Sequence, residues 1–141
     1  MENSYEYDFM EAQKSIISLC LELTDQKVDQ IYAYGSIEEK SLSFNAFFTK
    51  DGNIITINKL PIDTNLMWNF LDLGAEDLRK LRVVCENHKK VVPTEIKLVY
   101  NLSTGGLDVA YKYETVASPK TGKNSGTIFA EWIDEIRNTL L

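Results

Sequence analysis

Cys85 and His88 are the residues of this chain whose types and spacing come nearest to covalent chemistry. Three positions apart on a helix, they would share a face. A thiolate beside an imidazole is an arrangement that nucleophilic sites use. His88 is the only histidine, so any Ser-His-Asp or Cys-His scheme would have to run through it. Neither residue is set in the glycine-rich surroundings that build an oxyanion-binding turn. The preferred reading is therefore a thiol in the core and a histidine at a helix end, where its partial charge suits the dipole. Cys20, the other cysteine, also falls on an apolar helix face and reads as a buried free thiol. Two cysteines and one distant histidine show no zinc-ligand spacing. No metal and no cofactor is expected.

The carboxylates have no more specific pattern. Glu38-Glu39 occupies a turn between two strands, and Asp72 and Glu76 lie four apart on a helix, with Asp77 beside them. Hydrolytic acid–base work needs two carboxylates facing across a cleft with separated proton affinities. A solvated helix face is the preferred reading of this group. Gly105-Gly106 is followed by a strand, so it cannot form the strand-to-helix cradle of a phosphate site. No catalytic residue is assigned, and the chain reads as a non-enzyme.

The elements that position these groups follow from apolar periodicity. Phe9, Ala12, Ile16, Cys20 and Leu23 recur at helical spacing, predicting a helix from about Tyr5 to Leu23 with Ser4 as its cap. Three strands follow, about Asp29 to Ile37, Leu42 to Thr49 and Asn53 to Lys59. Leu42, Phe44, Ala46 and Phe48 share one face, and Ser43, Asn45, Phe47 and Thr49 the other. Gly35-Ser36 is a candidate bulge, and Asp51-Gly52 supplies a tight reversal. A second helical region, capped by Asp63 or Thr64, carries Met67, Phe70, Leu71, Leu78, Leu81 and Cys85 on its stripe. Gly74 makes it either one helix with a weak point or two that break near Leu73-Gly74; a near-continuous element ending by Lys90 is expected. Ile96, Leu98, Tyr100 and Leu102 then alternate, as do Leu107, Val109, Tyr111 and Tyr113 across a glycine turn. The polar run from Ser118 to Gly126 predicts a mobile surface loop before a last helix, about Thr127 to Leu140. The order helix-βββ-helix-ββ-helix describes a single α+β domain over 1–141. Its links are too short for crossovers, so one antiparallel sheet of about five strands is expected, with helices packed mainly on one face. Tyr32, Tyr34 and Phe47 would then be partly exposed on the opposite face unless the last helix or a second copy covers them.

Composition narrows the classes of partner. The chain has 141 residues, 15 basic and 21 acidic, for a net charge of −6. Phosphate backbones repel such a surface unless basic residues cluster. Lys89 and Lys90 are the one adjacent pair of lysines, and Lys112, Lys120 and Lys123 are scattered, so direct nucleic-acid binding is not expected. No apolar run approaches a membrane span. The acidic start MENSYEYDFMEAQK has no signal-peptide pattern, and a cytoplasmic protein is expected.

The run IYAYGSIEEKSLSFNAFF, the DGNI turn, the strands PTEIKLVYN and LDVAYKYE, and the pair Glu131-Trp132 together resemble the YezG-like immunity (antitoxin) family. The resemblance covers about Lys27 to Glu114 and the tryptophan-bearing end. It departs from the family pattern at Leu73-Gly74 and in the long polar loop. It implies a small acidic cytoplasmic α+β protein that binds and neutralises a cognate secreted toxin, often a nuclease, by occluding its active site. The partner-binding residues expected on that basis are Tyr32, Tyr34, Glu38, Glu39 and Asp51, with Asp72 and Glu76 as a second acidic group. A monomer or homodimer would serve. The competing expectation is an acidic secretion chaperone that holds an effector segment, by analogy of element order alone.

Overall fold

The structure, a computed structural model, describes residues 4–38, 41–118 and 120–141. Helix α1 spans Tyr5–Thr24, and the Ser4 hydroxyl accepts from the Tyr7 N–H at 3.1 Å. It stops where Asp25 and Gln26 turn left-handed, at φ 52° and 56°. Strand β1 (Gln30–Glu38) pairs antiparallel with β2 (Ser41–Lys50), and β2 with β3 (Asn53–Thr56). Asp51 and Gly52, both at positive φ, make the reversal between β2 and β3. Two strand details differ from expectation. The β1–β2 register runs unbroken through Gly35↔Phe44 and Ser36↔Ser43, so no bulge forms there. Gly35 instead lies where a side chain would collide with Leu78. And β3 ends at Thr56, because Ile57–Lys59 winds into a 3-10 turn before Leu60 and Pro61.

Helix α2 spans Thr64–Asn87 as one continuous element, capped by the Asp63 carboxylate at 2.7 Å from the Leu66 N–H. Gly74 does not break it. A Cβ at that position would lie 2.1 Å from the Phe44 ring, so the glycine lets helix and sheet approach closely. Strand β4 (Glu95–Asn101) returns beside β1, and β5 (Leu107–Lys112) follows as a hairpin. The result is one antiparallel five-stranded sheet in the order β3-β2-β1-β4-β5. Helix α3 (Ser125–Thr139) closes the chain, with Asn124 accepting from the Thr127 N–H at 2.8 Å. The polar segment before it turns back on itself through a Ser118↔Lys123 bridge and the Thr121 hydroxyl, which donates to the Val116 carbonyl at 2.9 Å.

Two layers sandwich the sheet. On one face, Ile31, Ala33, Phe44, Phe48, Ile96 and Leu98 pack with Ile16, Cys20, Phe70, Leu78, Leu81 and Cys85 of α1 and α2. On the other, Tyr32, Tyr34 and Phe47 pack with Ile128, Phe129 and Trp132 of α3. That division follows directly from the period-two alternation of β1 and β2.

Candidate protein-binding surface

The inward side of α2 is set by Phe70, Gly74, Leu78, Leu81 and Cys85, all buried. Residues 68, 72 and 76 lie one turn apart on a different ridge of the same helix. Trp68 is 58% exposed on that ridge, far more than a tryptophan is when it serves a core. Asp72 and Glu76 follow it, both exposed, with Arg79 paired to Glu76. Leu66, Leu73 and Val83 add exposed apolar area on the same helix. Between α1 and α2, Leu19, Leu23, Leu66, Phe70 and Leu73 line a shallow groove of about 300 Å3. The two helices are pinned there by the Ser15 hydroxyl, which donates to Asp77 at 3.0 Å. Burial raises the Asp77 carboxyl above its usual range.

Sequence reasoning named Asp72 and Glu76 and did not name Trp68, which stands exposed one turn before Asp72. The signal was available. Trp68 lies about 100° around the helix from Met67 and off the stripe through Phe70, Leu78 and Leu81, one turn before Asp72.

The other expected contact residues divide sharply. Tyr32 and Tyr34 are 5% and 1% exposed, so they are not surface anchors. Tyr32 stacks flat on Phe47, with centroids 4.5 Å apart, and meets Trp132 edge-on. The Tyr34 hydroxyl donates to the buried Glu95 carboxylate at 3.0 Å. Burial, reinforced by Glu95, pushes that phenol well above its ordinary value. The physical reason for the correction is α3: its Ile128, Phe129 and Trp132 need an apolar surface, and this strand face is the one available. Glu38 is half-buried, accepting from the Val116 and Ala117 N–H groups at 3.4 Å, and so ties the segment after β5 back to β1. Glu39 lies outside the described residues. Asp51 is exposed at its turn, with its N–H donating to Asp29 at 2.7 Å. Only Asp72 and Glu76 are brought together.

A larger hollow of about 430 Å3 lies between α3 and strands β4 and β5. Several of its charged side chains face one another or an aromatic ring. The Lys112 ammonium sits 3.9 Å from Glu95, Lys123 is 2.9 Å from Glu131, and Lys97 rides 5.3 Å over the Trp132 ring. The Cys85–His88 pairing does not form. His88 turns its ring to Asp8 at 3.1 Å, and the Cys85 sulfur lies 3.9 Å from the Tyr5 hydroxyl. Burial raises the Cys85 thiol, and burial together with Cys85 pushes the Tyr5 phenol up to about 12. Both groups therefore stay protonated at neutral pH. Among the described residues, no three His, Cys, Asp or Glu side chains converge on a metal-sized site. No helix among them is long and apolar enough to cross a membrane. The chain matches no family model and no curated protein.

Proposed function

We propose that this protein acts in the cytoplasm as a non-enzymatic immunity protein. In this reading it captures a cognate secreted toxin through the outward ridge of α2 and holds the toxin's active site closed. The observation that carries the reading is Trp68 standing exposed beside Asp72 and Glu76. A solvent-facing indole loses water favourably when a partner covers it, and tryptophan anchors dominate many interfaces. Acids at its rim favour a basic partner surface, and a net charge of −6 steers such a partner in from a distance. A nuclease is the toxin class that fits, because it must present a basic surface to phosphates.

The test begins with a protein that co-purifies from the native host. It should arrest growth when expressed alone and be silenced by co-expression of this chain. Trp68→Ala should weaken the purified complex by about 2 kcal/mol or more, roughly thirtyfold, and restore toxicity. A co-purifying protein that is harmless alone, or a complex indifferent to Trp68, rejects the reading. The chaperone alternative draws on the apolar α1–α2 groove. It predicts the reverse: Leu66→Asp with Leu73→Asp abolishes capture of an extended effector segment, and Trp68→Ala leaves it intact.

A further inference from the structure

We infer that two copies of this chain associate edge to edge through β5, joining their sheets antiparallel into one. Strand β5 is last in the sheet order, with β4 as its only neighbour. Asn101 donates to the Gly106 carbonyl at 3.0 Å, and the register continues through Val99↔Asp108, Lys97↔Ala110 and Glu95↔Lys112. Alternate residues of an antiparallel strand point their backbone groups the same way. Gly106, Asp108, Ala110 and Lys112 therefore turn to β4, while Leu107, Val109 and Tyr111 present their N–H and C=O groups outward. Native sheets blunt free edges with short strands, prolines or bulges. The opposite edge is treated that way: β3 has four residues and runs into a 3-10 turn followed by Leu60 and Pro61. β5 has six residues, no proline and an unbroken register.

Its side chains fit a second copy in one register. Outward backbone groups can bond only to outward groups, so an antiparallel β5–β5 pair slides in steps of two residues. With Ala110 opposite Ala110 of the second copy, Asp108 of each chain faces Lys112 of the other. The neighbouring registers set Asp108 against Ala110, or Ala110 against Lys112, and those beyond them set Asp108 against Asp108 or Lys112 against Lys112. Only the first pairs opposite charges, and the two-fold axis makes the pair twice. Asp108, Ala110 and Lys112 are all exposed, since α3 packs toward β2 and β3 on that face. On the other face the same register sets Val109 against Tyr111 and Leu107 against Tyr113. Val109 is 42% exposed and Tyr113 52%, so apolar area remains for a second copy to cover. The inference does not depend on what the α2 ridge binds.

Sedimentation equilibrium on the wild-type chain should give a concentration-dependent shift from monomer to dimer. Ala110→Cys reports the register directly. Non-hydrogen-bonded antiparallel partners lie about 4.5 Å apart at Cα, within disulfide reach, and Cys20 and Cys85 are buried out of competition. Mild oxidation should convert Ala110→Cys to covalent dimer and leave the wild type unlinked. Asp108→Lys should weaken association roughly tenfold, and Asp108→Glu, which keeps the charge, should leave it nearly unchanged. Circular dichroism confirms that each variant is folded. A wild-type mass that stays monomeric across the concentration series overturns the proposal. So does a dimer that Ala110→Cys fails to cross-link, because it would use another surface.

Discussion

Gly74 sits where helix propensity and packing oppose each other. Alanine in a helix interior is worth about 1 kcal/mol over glycine. At this position its methyl would enter the Phe44 ring, 2.1 Å from the nearest carbon. Forcing an atom into a filled core costs about 1–3 kcal/mol. Gly74→Ala should therefore lower stability in urea by up to about 2 kcal/mol. Phe44→Leu should cost less in that background than alone, a coupling visible in a double-mutant cycle. The glycine that looks like a helix break in the sequence is a contact point in three dimensions, because periodicity records which face a residue occupies and not how near the opposing layer comes. Asp77 offers a test in pH. Burial raises its folded carboxyl above the unfolded value, so the protonated form is the one the fold favours. That advantage is complete below the unfolded value and is lost as pH rises through the folded one. At pH 7 the wild type carries the cost of a buried charge. Asp77→Asn keeps an acceptor for the Ser15 hydroxyl, so thermal unfolding at pH 7 should show it more stable than the wild type. The gap should close as the pH falls into the acid range.

At the scale of elements, α3 is the piece with the most separate fate. It packs on the sheet and on Val116 and Ala117, through Ile128, Phe129 and Trp132, while α1 and α2 also pack on each other. Elements with fewer partners open at lower free energy. Amides of α3 should exchange with solvent before those of β1. Asn124→Ala, which removes the cap, should speed α3 exchange about fivefold and leave β1 unchanged. Equal acceleration in both would mean that helix and sheet open as one unit. The order of the elements and their hairpins were legible because their apolar periods switch cleanly between two and 3.6 residues; that β4 returns beside β1 was not. The side of the sheet that α3 covers was not. Alternation along β1 separates Ile31 and Ala33 from Tyr32 and Tyr34, but it says nothing about which helix arrives on which face. Ile128, Phe129 and Trp132 form a stripe that needs its own surface, and that need decides between the two alternatives open for Tyr32 and Tyr34 and places them indoors.

For the molecule as a whole, the Trp68 ridge on α2 and the open edge at β5 lie in different elements. Partner capture through Trp68, Asp72 and Glu76 should slow as ionic strength rises, because long-range steering is screened. Stopped-flow association rates check this, and Asp72→Lys with Glu76→Lys should flatten the slope. The chain has two tryptophans, and they sit at opposite extremes, Trp68 in water on α2 and Trp132 enclosed between α3 and the sheet. Their fluorescence therefore separates by environment. A soluble quencher such as acrylamide reaches the first indole and is held from the second, which makes docking and unfolding two optical signals that can be followed in one cuvette without a label.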